Sequence, residues 1–179
     1  LRYTSKPAIP GTISGLSRGV CPNTTYSYSI TPVNNATSYI WTAPANASIV
    51  SGQGTTNVTV YFDPNFGTSG VLSVLSSNCI GNSNNRNLTI QRTPPQPSAI
   101  TGPSSVCKNQ QGVVFSVVNV PEYTYNWLVP GGCTIVSGQG TSSVVVNWGQ
   151  NSGTIAVQAV VQCSVSPFRT KSVSAVNCS

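Results

Sequence analysis

Apolar and polar residues alternate over short stretches of this chain. Val58 and Val60 are out of phase with Thr59 and Tyr61, and Val144, Val146 and Trp148 with Val145 and Asn147. A period of two sends one set of side chains to a buried face and the other to a wetter one, the pattern of a half-buried β-strand. No stretch of ten or more residues repeats its apolar positions every three to four, so helices are not expected. In the second half of the chain the alternation, cut by Gly, Pro and Asn, predicts strands near 99–101, 113–118, 123–129, 134–137, 143–148, 154–161 and 169–176. Short strands at even spacing are the signature of a β-sandwich.

The pattern also repeats. Ile49-Val50-Ser51-Gly52-Gln53-Gly54-Thr55 returns 86 residues later as Ile135-Val136-Ser137-Gly138-Gln139-Gly140-Thr141. The same offset joins Cys21 to Cys107, Trp41 to Trp127, and the segment 39–44 to 125–130. Cys79 and Cys163 are 84 apart, as a two-residue deletion in one loop would leave them. An internal repeat of this length implies two copies of one folding unit. Between the copies lies Thr93-Pro94-Pro95-Gln96-Pro97, whose prolines fix the backbone and remove donors from any central strand. The expected organisation is a sandwich over 1–92, with 1–6 read as the tail of a preceding module, a proline-rich linker over 93–97, and a second sandwich over 98–179. Because the chain starts at Leu1 rather than Met, it is read as a piece of a longer, repetitive polypeptide whose export signal lies elsewhere.

Composition agrees with an all-β fold and narrows the chemistry. Only 6% of residues are charged, and Met and His are absent. Without histidine no Ser-His-Asp or Cys-His centre can form. The only acids, Asp63 and Glu122, fall at non-equivalent places in the two copies, so a carboxylate pair for hydrolysis is not expected, nor a calcium loop. The Gly-Gln-Gly segments precede no helix and read as turns rather than phosphate cradles. No cofactor or metal is implied, and the chain is read as a non-enzyme. The net charge of +6 comes from scattered Lys and Arg with no run that would follow a phosphate backbone, so nucleic acid is not expected as a partner. No run of eighteen apolar residues marks a membrane-spanning helix.

Six cysteines without histidine or a C-x-x-C pair point to disulfides and an extracellular or cell-surface location. The first copy holds only Cys21 and Cys79, so a bridge confined to that copy must join them. Repeat symmetry then pairs Cys107 with Cys163 and leaves Cys133 and Cys178 for an extra bridge, although three connectivities are formally open. Strict strand alternation would place Cys21 and Cys79 at opposite ends of a sandwich. A short or displaced first strand is therefore required, and Cys107 with Cys133 is the alternative in the second copy.

Among the aromatics, Trp41 and Trp127 fall on the third predicted strand and are expected in the core. Trp148, whose counterpart is Phe62, is read as edge-facing. Tyr61 and Trp148, with Tyr3, Tyr26 and Tyr28, are candidates for stacking on a ligand. Asparagine sequons occur at Asn23, Asn35, Asn46, Asn57, Asn87 and Asn177.

Val20-Cys21 and Val106-Cys107, then the Tyr-x-Trp-x-x-Pro segments at Trp41 and Trp127, then the two Ile-Val-Ser-Gly-Gln-Gly-Thr turns and a second cysteine resemble the PKD-like repeats of large secreted proteins from Bacteroidota. The resemblance spans nearly the whole chain. It implies immunoglobulin-like β-sandwich domains in an adhesin, a gliding-motility surface filament or an accessory module of a secreted enzyme, with type IX secretion as the export route. The acidic Gly-Asp-Gly turn of many such domains is replaced by Pro44-Ala45-Asn46 and Pro130-Gly131-Gly132, so no calcium site carries over. The function expected is that of a non-catalytic structural or adhesive segment, a stalk, filament or adhesin. The alternative is a glycan- or surface-binding module of a secreted multidomain enzyme. Expected partners are neighbouring repeats of the same polypeptide and extracellular polysaccharide or cell surfaces, without membrane insertion.

Overall fold

The structure, a computed structural model, describes residues 4–178. The chain divides into two compact units between Thr93 and Pro94. Gln96 and Pro97 of the proline-rich segment are tied into the second unit. Gln96 donates to the Phe168 carbonyl, and the Pro97 carbonyl accepts from Arg169 Nε at 2.9 Å.

Unit 1 contains β1 (Thr24–Ser29), β2 (Ser38–Thr42), β3 (Ala47–Ser51), β4 (Asn57–Phe62), β5 (Ser69–Asn78), β6 (Gly81–Asn82) and β7 (Arg86–Gln91). One sheet has the order β1-β4-β3; the other sets β2 and, on its far side, β6 and β7 against β5. Unit 2 contains β8 (Ser105–Cys107), β9 (Val113–Ser116), β10 (Thr124–Leu128), β11 (Thr134–Ser137), β12 (Ser143–Asn147), β13 (Gly153–Val161), β14 (Ser164–Val165) and β15 (Arg169–Val176). Its sheets are β9-β12-β11 and β10-β13-β15-β8, with β14 beside β13. Strands β9 to β15 thus repeat β1 to β7, and each unit is an immunoglobulin-like sandwich.

One predicted strand is displaced. Residues 99–101 make only an isolated antiparallel bridge, Thr101 to Ser116, and the strand proper is β8, which joins the opposite sheet parallel to β15. Gly102 is where the chain changes sheets, at a φ of 147° and with Phe115 so close that a Cβ would strike its ring. Gly15 does the same in unit 1, at φ 143° against Tyr28. With three residues and a single fully buried side chain, Val106, β8 carries too little alternation to be recognised in sequence.

Each core is built round a tryptophan. Trp41 is 2% exposed and Trp127 1%, each wedged between the two sheets of its unit. A buried indole needs an acceptor for its N–H, and the Gly-Gln-Gly-Thr turn supplies it: Trp41 Nε1 donates to the Thr55 carbonyl and Trp127 Nε1 to that of Thr141, both at 2.9 Å. The turn's glutamine does more. Gln53 Oε1 accepts from the Trp41 amide while Gln53 Nε2 donates to the Trp41 carbonyl, each at 2.9 Å. Gln139 holds Trp127 in the same way, at 2.9 and 3.1 Å. Strands β2 and β10 are edge strands whose outer backbone groups would otherwise be open. The glutamine side chain replaces the missing neighbour.

The turn's geometry explains its composition. Gly52 and Gly138 sit at φ 84° and 88°, and a Cβ on either would collide with the Asn57 or Ser143 carbonyl. Thr55 Oγ1 lies 2.8 Å from both the Gly52 and Asn57 carbonyls, closing the loop from inside.

Phe62 and Trp148, expected at an edge, are buried in the cores, at 0% and 2% exposure. Both lie on the inward phase of the alternation, and Phe62 packs edge-to-face on Phe66 at 4.8 Å between centroids. Trp148 satisfies its indole through the Asn151 carbonyl at 3.1 Å.

Replacing Gln53 or Gln139 by Ala is expected to lower the stability of its unit by about 1 kcal/mol, because both glutamines are at the surface and water partly replaces the lost bonds. Glu at the same position should do no better at neutral pH, since a carboxylate cannot donate to the Trp carbonyl. Urea unfolding of both variants measures this. A second expectation concerns Tyr28, buried and donating to the Leu16 carbonyl at 2.8 Å. Burial, with a smaller contribution from Tyr26, pushes its hydroxyl far above the ordinary tyrosine range. The folded form keeps its proton when the unfolded chain loses it, so this contribution is complete below about pH 10 and declines as pH rises further. Tyr28→Phe should flatten the alkaline loss in unit 1, a substitution already present in unit 2 as Phe115.

Candidate functional site

Among the described side chains considered for chemistry or ligand stacking, Tyr61 and Asp63 line one surface cleft, and neither unit holds a pair of acids. Asp63 lies in the turn after β4 and Glu122 in the turn before β10, in different units. Among the described residues no group of three or more His, Cys, Asp or Glu could hold a metal ion. Trp148 is buried and cannot stack on a ligand. Tyr28 is buried as well, and Tyr26 turns its ring edge-on to Phe62 at 5.9 Å and accepts the Cys21 amide at 3.0 Å. Tyr3 lies outside the described residues. Tyr61 lies half-exposed on an outer sheet face, paired across to Thr25 and Ser48. Several basic residues are structural: Arg86 Nε donates to the Pro10 carbonyl at 2.8 Å, as Arg169 does to Pro97, and Lys171 Nζ reaches Ser104 Oγ at 3.2 Å.

What does recur at the same place in both units is the joining of first and last segments. In unit 2, β8 runs parallel to β15, with Ser174, Ala175 and Val176 beside Ser105, Val106 and Cys107. The Lys108 amide adds a bond to the Val176 carbonyl at 2.9 Å. Unit 1 uses a shorter version, in which Arg18 bridges Gln91 in parallel while the Gln91 amide bonds the Ser17 carbonyl at 2.8 Å and the Val20 amide the Gln91 carbonyl at 3.2 Å.

This arrangement corrects the cysteine pairing. Cys107 is bonded to Cys178, with Cα atoms 5.5 Å apart, whereas Cys79 and Cys133 are free thiols. The expected Cys21–Cys79, Cys107–Cys163 and Cys133–Cys178 bridges, and the alternative Cys107–Cys133, are not made. Cys21 follows the segment beside Gln91, which pairs with Ser69 at the start of β5, while Cys79 is in the turn just beyond its end at Asn78. Ten residues of strand put about 30 Å between those ends, and a disulfide requires Cα atoms within roughly 7 Å. Cys107 and Cys163 are separated in the same way by the nine residues of β13. Repeat symmetry paired cysteines that the strand length keeps apart. The parallel register brings Cys107 next to Val176, and thus close to Cys178.

Tandem immunoglobulin-like sandwiches with protected edges and joined end segments define a class of modular, typically non-catalytic domains. The PKD-like domain model matches residues 6–90 and again 93–173, and the chain belongs to that family. Comparison with curated proteins found no match. Among solved structures, the chain is similar to a two-domain fibronectin type III segment of chicken tenascin, at 14% identity and a TM-score of 0.36 over 95% of this chain and 99% of that one. It is also similar to the human desmocollin-1 ectodomain (13%, 0.33, 100% of this chain and 38% of that one). A third is an endo-fucoidan hydrolase of glycoside hydrolase family 107 (10%, 0.34, 94% and 29%).

Iodoacetamide applied to the folded, unreduced chain is expected to label Cys79 first, as the exposed thiol, and Cys133 more slowly, since its Sγ accepts the Gly149 amide at 3.3 Å. Peptide mapping should recover Cys107 and Cys178 as one linked pair. Cys178→Ser should destabilise unit 2 by about 4 kcal/mol in the chain-entropy model for a separation of 71 residues.

Proposed function

We propose that this chain is a non-catalytic, tension-bearing segment of a secreted or cell-surface protein, and that its two PKD-like units act as links in a stalk, filament or adhesin. The observation that carries the reading is the parallel pairing of first and last segments in each unit. A pull on the two ends of such a unit loads these hydrogen bonds in shear, so they must fail together rather than one after another. In unit 2 the Cys107–Cys178 bond lies across the same junction. Tension entering before Cys107 and leaving after Cys178 then follows covalent bonds and bypasses the sandwich. The disulfide also supports an oxidising, extracellular setting. Adhesion, gliding-type surface filaments and type IX export belong to this proposal through the resemblance described above, and neighbouring repeats of one polypeptide are its partners.

Single-molecule stretching tests the reading. With its disulfides reduced, unit 1 should unfold in one abrupt step that releases roughly 250 Å of chain, about 70 residues at about 3.5 Å each. Unit 2 should release a comparable length only after reduction, since the residues between its bridged cysteines are shielded. Gradual low-force extension of unit 1, or full extension of unit 2 with its bridge intact, would refute the proposal.

A further inference from the structure

The two units repeat their structural residues closely, so a polar cluster found in only one of them calls for another explanation than folding. Such a cluster lies at one end of the β1-β4-β3 sheet of unit 1. Asn46, Ala47, Ser48, Tyr61, Asp63 and Asn65 line an open cleft of about 340 Å³, within the size range of small-molecule sites, roughly 300 to 1,000 Å³. At the offset that superposes the two tryptophans, Asn46 becomes Gly132, Tyr61 becomes Asn147 and Asp63 becomes Gly149. The aromatic ring and the carboxylate are therefore dispensable for the fold, which forms without them in unit 2.

The cleft is held in shape before any ligand arrives. Asp63 Oδ1 accepts from the Asn65 amide at 2.9 Å and from Asn65 Nδ2 at 3.0 Å. Asn46 Nδ2 donates to the Asn65 carbonyl at 3.2 Å, and the Asp63 amide bonds the Asn46 carbonyl at 2.9 Å. Tyr61 is fixed through its hydroxyl, which donates to Asn23 Oδ1 at 2.9 Å. These bonds leave acceptors open: the second oxygen of Asp63 and the side-chain oxygens of Asn46 and Asn65 have no described partner, and beside them stand the Ser48 hydroxyl and one remaining N–H on each asparagine amide. Acceptors grouped round a half-exposed aromatic ring suit a ligand that offers several O–H donors and an apolar C–H face.

We infer that this cleft is a binding subsite for a neutral saccharide, with Asp63 and the two asparagines accepting its hydroxyls and Tyr61 packing against a sugar face. Neutrality follows from Asp63, whose carboxylate repels uronate or sulfate groups at contact distance despite the positive net charge of the chain. The inference rests on unit 1 alone and is independent of the tension-bearing role. The test is amide-resolved NMR titration of the whole chain, produced without glycosylation because Asn46 and Asn23 are sequons, with cellohexaose, laminarihexaose, mannohexaose and xylohexaose at millimolar concentration. At least one should shift Ser48, Tyr61, Asp63 and Asn65 while leaving Asn147 and Gly149 unmoved. Asp63→Ala and Tyr61→Ala should each weaken that binding at least tenfold, and Tyr61→Phe, which keeps the ring, should weaken it less than threefold. The spectra of the variants report whether unit 1 remains folded. Silence with all four sugars, shifts that fall equally on unit 2, or binding of an alginate hexamer alone would overturn the inference.

Discussion

A tryptophan placed between two sheets sets the terms for the rest of each unit. Its ring fills the core, but its indole N–H must find an acceptor, and it stands on an edge strand whose backbone is open on one side. The Gly-Gln-Gly-Thr turn meets both needs: the backbone carbonyl of its threonine takes the indole proton, and its glutamine amide pairs with the tryptophan's own amide and carbonyl. The left-handed glycine before the glutamine allows the loop to come close enough to do so. Core and edge are thus stabilised by the same few residues, which is why the turn and the tryptophan recur together.

The two units close their ends by different means on a common plan. Unit 1 joins its first and last segments by backbone hydrogen bonds, whereas unit 2 extends the pairing into β8 and adds a disulfide. An arginine at the start of the last full strand reinforces both by holding a proline carbonyl of the entering chain. Buried serine hydroxyls do similar work close by, Ser83 accepting from the Ser76 amide and Ser166 from the Ala159 amide. In a chain with so few charged residues, these directed hydrogen bonds hold much of the periphery. Where the units diverge, as at Tyr61 and Asp63, the divergence falls on exposed or half-exposed positions that the scaffold does not need.

Local pattern by itself determined the strand content, the two-copy organisation and the tryptophans at the core, because period-two alternation and an 86-residue repeat are properties of consecutive residues and follow from strand geometry alone. The same alternation places Phe62 and Trp148 inward once it is followed to the strand end. It did not determine which cysteines meet, since symmetry between copies is blind to a ten-residue strand holding Cys21 and Cys79 at opposite ends. Only the tertiary structure decided that β8 crosses to the opposite sheet and brings Cys107 to Cys178, that a glutamine closes each open edge, and that Asn46, Tyr61, Asp63 and Asn65 share one cleft. Each of these depends on parallel pairing or on contact between loops, and neither leaves a periodic trace in the order of residues.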